Sequence, residues 1–193
     1  MKSSVLLNDL LTKGAILGGV MLLVSIAQIQ FVSMGNLWLV VVAALLSLLS
    51  WALFCFLAFR FTKNYAKLVL STNEEMQKFT YVNGFVYVLT ISMLAGVISS
   101  LGSYLYLVHV VGYEEYIGAY VKLVNDMLAQ AKMPLTMSEI YTTMIDTLQK
   151  QPQPTFASSL YSGIMSFSFM GTFAGLIIAI FTRRKSDYVK QDE

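Results

Sequence analysis

The sequence predicts an all-α integral membrane protein with four transmembrane helices, and three observations lead there. Of the 193 residues, 56% are hydrophobic and 12% charged, where soluble domains carry about a quarter charged residues. The charges are also gathered: Gly14 to Phe59, Phe79 to Tyr113 and Gln151 to Thr182 hold no Asp, Glu, Lys or Arg. A crossing of the hydrocarbon layer needs about 20 apolar residues, so the first run can cross twice and the others once each. Backbone groups in lipid must find partners within their own segment, and no strand-like alternation is present, so these runs are helices.

The first span is expected over 14–32. Lys2 and Lys13 precede it, and Ser25-Ile-Ala27 resembles a signal-peptidase site. Apolar residues nevertheless continue to Val32, which favours a retained helix. Gly14 and Gly18 fall on one of its faces. Ser33-Met-Gly-Asn36 is a polar turn signal, after which the second span occupies 37–60. This span is bulky, rich in Leu, Trp and Phe, and contains the single cysteine, Cys55. Arg60, Lys63 and Lys67 share a face at its end and suit anionic lipid headgroups. Two overlapping capping boxes, Ser71 with Glu74 and Thr72 with Glu75, predict a helix starting near residue 73 and running into the third span, 81–108. Within that span Ser92, Gly96 and Ser103 recur at helical spacing.

The segment 111–154 is expected to form two short amphipathic helices. Tyr113, Tyr116, Tyr120 and Met127 lie on the apolar stripe of the first, which Pro134 ends. Thr136 with Glu139 caps the second, whose stripe includes Ile140 and Met144. Surface-bound helices usually have a basic polar face, whereas this segment has five acidic residues against Lys122, Lys132 and Lys150. Its apolar faces are therefore expected to meet the bundle or another protein, with those six stripe residues as candidate partner contacts.

The fourth span, 156–182, carries Gly163 and then Gly171, Gly175 and Ala179 on one face. It stops at Arg183-Arg184-Lys185, a second headgroup-contacting cluster. In lipid there is little hydrophobic drive between helices, and close approach through small residues takes its place. The small-residue stripes of spans one, three and four thus predict that these spans pack together within one membrane domain, 1–193. Ten of the thirteen Lys and Arg residues then lie on one side, in 1–13, 60–80 and 183–193. That bias predicts both termini in the cytoplasm of a multi-pass membrane protein.

Chemistry is sparse. None of the four predicted spans has an Asp, Glu, Lys, Arg or His in its interior, where proton relays and ion sites need one. His109 stands without a second His or Cys, short of the three or four ligands of a zinc site. There is no phosphate-binding glycine loop and no nucleophile with its base, so no catalytic, cofactor or metal residue is expected. The basic clusters are better read as topology signals than as nucleic-acid contacts. Three functional classes remain: a non-enzymatic accessory or scaffold subunit that binds another membrane protein, a small oligomeric transporter or channel, and a lipid-binding or membrane-stress protein.

The block EEMQKFTYVNGFVYVLTISMLAGVISSLGSYLY, the acidic outer segment and the glycine-bearing last span ending in FTRRK resemble the four-span bacterial membrane proteins grouped as domain of unknown function 4199, found largely in Bacteroidota. The resemblance covers most of the chain and brings no catalytic residues with it. It implies a setting beside a family 2 glycosyltransferase similar to polyprenyl-phosphate sugar synthases, and so a membrane subunit that anchors or supports such an enzyme.

The orientation is open to direct test. In a Cys55→Ser background, a cysteine at position 150 is expected to react with a membrane-impermeant maleimide in intact cells. One at position 191 is expected to react only after lysis, and the reverse pattern would invert the topology.

Overall fold

The computed structural model describes residues 2–72, 78–130, 141, 143, 145–148 and 150–185. Helix α1 runs over Lys2–Ser33, α2 over Leu37–Thr72 and α3 over Tyr81–Tyr106, with a π-helical turn, Leu107–Val111, continuing α3. Helix α4 follows over Tyr113–Gln130 and α5 over Phe156–Thr182. Four of these, α1, α2, α3 with its π turn, and α5, are long and apolar enough to cross a membrane. This is the all-α, four-span architecture that the uncharged runs predict.

The first two helices exceed their expected spans. With 32 and 36 residues, α1 and α2 reach about 48 and 54 Å at 1.5 Å per residue, well beyond a hydrocarbon core of about 30 Å. The uncharged stretches 14–32 and 37–60 are therefore only their apolar parts. The turn between them falls at the expected Ser33–Asn36. Gly35 has φ +63°, a conformation that L side chains rarely adopt. Asn36 Oδ1 accepts from the Trp38 amide at 2.9 Å and starts α2.

The third span begins at the expected Tyr81, but the approach to it differs from expectation. Glu74 and Glu75 lie outside the described residues, but Lys78–Phe79 is an extended strand, β1, and not helix. It pairs antiparallel with strand β2, Arg184–Lys185, matching Lys78 to Lys185 and Phe79 to Arg184. That pairing engages backbone groups that a helix begun at 73 would turn inward. Thr80 then caps α3, its Oγ1 accepting from the Asn83 amide at 3.4 Å.

At the centre stands α3, with α5 antiparallel along one face and α1 parallel along another. Against α5, small residues alternate between the two helices at intervals of four. A Cβ placed on Gly84 would lie 3.3 Å from Ala179 Cα, and one on Gly175 3.5 Å from Val88 Cβ. One on Gly171 would lie 2.6 Å from Ser92 Cβ, and one on Gly96 2.9 Å from the Gly163 carbonyl and 3.0 Å from Phe167 Cβ. On Gly163 it would strike Ser100. In each layer one helix gives up its side chain so that the other can keep one. Ala179 and Ser92 are fully buried here.

The parallel face against α1 is built differently. A Cβ on Gly14 would come 2.8 Å from Leu94 Cβ, one on Gly18 3.0 Å from Ala95 Cα, and one on Gly102 2.5 Å from the Leu22 methyls. Ser103 Oγ donates to Ser25 Oγ at 2.8 Å, and the Tyr106 hydroxyl to Gln30 Oε1 at 2.6 Å. Spans one and four thus meet α3 on separate faces, where the sequence suggested mutual packing of all three. Helix α2 joins through bulk: Phe54 is fully buried and edge-on to Phe167 of α5, ring centres 6.2 Å apart.

Overpacking such a seam costs about 1–3 kcal/mol. Gly96→Leu and Gly163→Leu are each expected to lower the unfolding midpoint in detergent by at least that equivalent. Gly19→Leu, where a Cβ meets nothing within 4 Å, should leave it unchanged.

Candidate functional site

The side chains with chemical potential fall in three places, and the first lies at the end of the bundle that carries both ends of the described chain. Because α1 begins at Lys2, Asp9 and Lys13 belong to the helix that crosses the membrane and not to a preceding tail. The Tyr87 hydroxyl of α3 donates to Asp9 Oδ2 at 3.1 Å. Tyr87, 2% exposed, lies flat on Tyr65 of α2 with ring centres 4.0 Å apart, and Tyr65 meets Phe79 edge-on at 6.1 Å. One turn along α1, the Lys13 ammonium stands 5.4 Å from the Phe61 ring centre. Three helices thus meet through one carboxylate and a stack of aromatic rings.

Sequence reasoning missed this layer, because Asp9 and Lys13 were read as lying outside the first span. A signal was present: Leu6, Leu10, Lys13 and Leu17 keep a three-to-four spacing straight through the charges. The basic residues expected at headgroup depth behave variously. Arg60, Lys63 and Lys67 are exposed along α2. The Arg183 guanidinium lies 5.3 Å from the Tyr81 ring centre, a cation–π contact that ties the end of α5 to the start of α3. Arg184 and Lys185 enter through their backbone pairing with β1.

The second place is the segment between the last two spans. Helix α4 lies against α1, and its Val121 and Leu123 are 9% and 4% exposed. Tyr113, Tyr116 and Tyr120 are half-buried. Burial pushes the Tyr116 phenol above the usual tyrosine range, and neighbouring Tyr120 adds to the shift. Tyr113, Ile117 and Val121 of α4 line a cavity of about 540 Å³ with Leu148 and residues 150–153. The structure therefore lays α4 on the bundle. Ile140 and Met144 lie outside the described residues, and Met127 is placed only by its backbone.

The third place is the membrane-facing surface. Hydroxyls along the spans turn back on their own helices: Thr62 to the Ala58 carbonyl at 2.7 Å, Ser92 to Val88 at 2.6 Å, Ser168 to Ile164 at 2.6 Å and Thr182 to Ile178 at 3.0 Å. Among the described residues no buried side-chain polar atom lacks a partner. One polar pair is instead exposed at membrane depth. Gln28 Nε2 donates to Ser47 Oγ at 2.8 Å across α1 and α2, which leaves the amide oxygen and the second N–H of Gln28 without a partner among the described residues. Around it on α2 lie Leu45, Leu48 and Leu49, 60%, 73% and 64% exposed. Of the apolar stretch of α2, 11% is buried within the chain, against 44% for α3.

The Asp9–Tyr87 bond can be measured. Tyr87→Phe removes one hydrogen bond at the membrane margin and is expected to lower stability by about 1 kcal/mol. Tyr87→Ala also empties the stack and should cost roughly 3 kcal/mol or more. No loss of stability for Tyr87→Phe in detergent unfolding would mean that the bond to Asp9 contributes nothing.

Compared with known proteins, residues 12–184 match the model of the family described as Protein of unknown function (DUF4199), and the chain belongs to that family. Neither the curated proteins nor the solved structures gave a match.

Proposed function

We propose that this four-span member of the family is a non-enzymatic accessory subunit of the bacterial inner membrane, and that the exposed flank of α1 and α2 docks a second membrane protein. The observation that carries this reading is the Gln28–Ser47 pair, exposed at a depth where lipid offers no hydrogen bonds. A glutamine in that setting is favoured when a neighbouring helix supplies the missing donor and acceptor. The bulky leucines around it give an apolar rim, and α2 is the span that its own chain covers least. The small-residue stripes are occupied inside the bundle, so they do not serve as the docking surface. The family resemblance points to a polyprenyl-phosphate glycosyltransferase as the partner, held at the membrane by a bundle with a basic cytoplasmic margin at Arg60, Lys63, Lys67 and the Arg183–Lys185 cluster.

The test is site-specific photocrosslinking in native membranes. A photoreactive residue at position 48 is expected to capture a single heterologous membrane protein, identified by mass spectrometry as a glycosyltransferase. Gln28→Leu should reduce that adduct by about tenfold, as expected for loss of roughly 1–2 kcal/mol of interhelical hydrogen bonding. Adducts to lipid alone would overturn the docking reading, and adducts only to a second copy of the chain would favour an oligomeric transporter.

A further inference from the structure

At the end of the bundle that carries Asp9, a cavity of about 260 Å³ opens between α1, α2 and α3, lined by Leu6, Leu10, Tyr65, Val69, Phe79, Asn83, Val86, Tyr87 and Thr90. Four of these nine side chains are aliphatic and three aromatic, and Val86 at the mouth is 52% exposed. Asp9 is not itself a lining residue and adjoins the cavity through Tyr87. Tyr87 holds Asp9 through its hydroxyl, and no basic side chain lies within 4 Å of Asp9 among those described. Two of the lining residues, Asn83 and Tyr65, keep their side-chain amide and hydroxyl unengaged, whereas the Thr90 hydroxyl is used on the Val86 carbonyl.

Depth decides what can enter. Asp9 lies five residues before the uncharged run that begins at Gly14, about 7 Å along a helix. That is the headgroup layer, with hydrocarbon directly above it. An occupant must therefore be apolar toward the membrane centre and polar at the margin, and it must offer donors to an unpaired carboxylate. We infer that this cavity is a binding site for a single phospholipid with a primary ammonium headgroup, of the phosphatidylethanolamine class. The ammonium faces the Asp9 carboxylate that Tyr87 orients, the amide of Asn83 takes a glycerol or phosphate oxygen, and one acyl chain leaves over Val86 into the leaflet. A quaternary choline headgroup carries the same charge but has no N–H to donate, and a glycerol headgroup lacks the positive charge.

The experiment uses the full chain, delipidated in detergent and incubated with phosphatidylethanolamine, phosphatidylcholine or phosphatidylglycerol of identical chains. Bound lipid is counted by native mass spectrometry. The wild type is expected to favour the ethanolamine lipid over the choline lipid by about tenfold, the factor that a hydrogen bond to a charged group supplies. Asp9→Asn should bring the ratio to about one. Val86→Trp, which closes the mouth without touching Asp9, should reduce binding of every lipid and serves as the readout if Asp9→Asn does not fold. Equal retention of the ethanolamine and choline lipids by the wild type, a preference for phosphatidylglycerol, or a preference that survives Asp9→Asn would each overturn the assignment.

Discussion

The antiparallel contact between α3 and α5 is the constraint that the rest of the bundle obeys. Neither helix is smooth along its whole face. Gly84 and Gly96 on α3 and Gly163, Gly171 and Gly175 on α5 share the task of withdrawing a side chain, so the backbones come close at every turn without a bare groove on either side. This is why glycine is tolerated in helices where it would otherwise weaken them by about 1 kcal/mol. Without an apolar solvent effect between helices, the dispersion gained by such close approach is what holds the pair together.

Once α3 is fixed against α5, another of its faces is available to α1, and α2 then packs chiefly on α1. Helix α1 combines glycines with three side-chain hydrogen bonds that α3 donates to Asp9, Ser25 and Gln30. Helix α2 buries Ala58, Thr62 and Ala66 at four-residue spacing and sets Phe54 and Tyr65 against aromatic partners. These contacts lie from its midpoint onward, while Leu45, Leu48 and Leu49 of the first half stay outside. The clasp of β1 on β2, with Arg183 on Tyr81, closes the α3–α5 seam at the terminus-bearing end.

Four spans, their order and the turn at Gly35 were legible because hydropathy and turn chemistry are written in contiguous residues. The small residues stood out for the same reason, but which neighbour each one faces was not written there. Gly96 opposite Phe167 and Gly171 opposite Ser92 follow from a register that only the assembled pair defines. The helix expected to lead into α3 is replaced by strand because capping boxes state a local tendency, whereas Lys78–Phe79 is held by residues more than a hundred positions away. Asp9 was overlooked because a charge was taken to end the first span. A helix need not stop at a charge where it enters the headgroup layer, since water and a neighbouring tyrosine can satisfy the carboxylate there.

The position of α3 between an earlier and a later helix also bears on how the chain is built. Its contacts with α1 lie close to eighty residues back, so that partner is already in the bilayer when α3 leaves the ribosome. Its contacts with α5 reach forward to Thr182. Until α5 emerges, the glycine-lined face of α3 therefore stands open to lipid or to any other nascent helix. Closure of that seam waits for the fourth span, so the first three helices must hold their places in the bilayer without it.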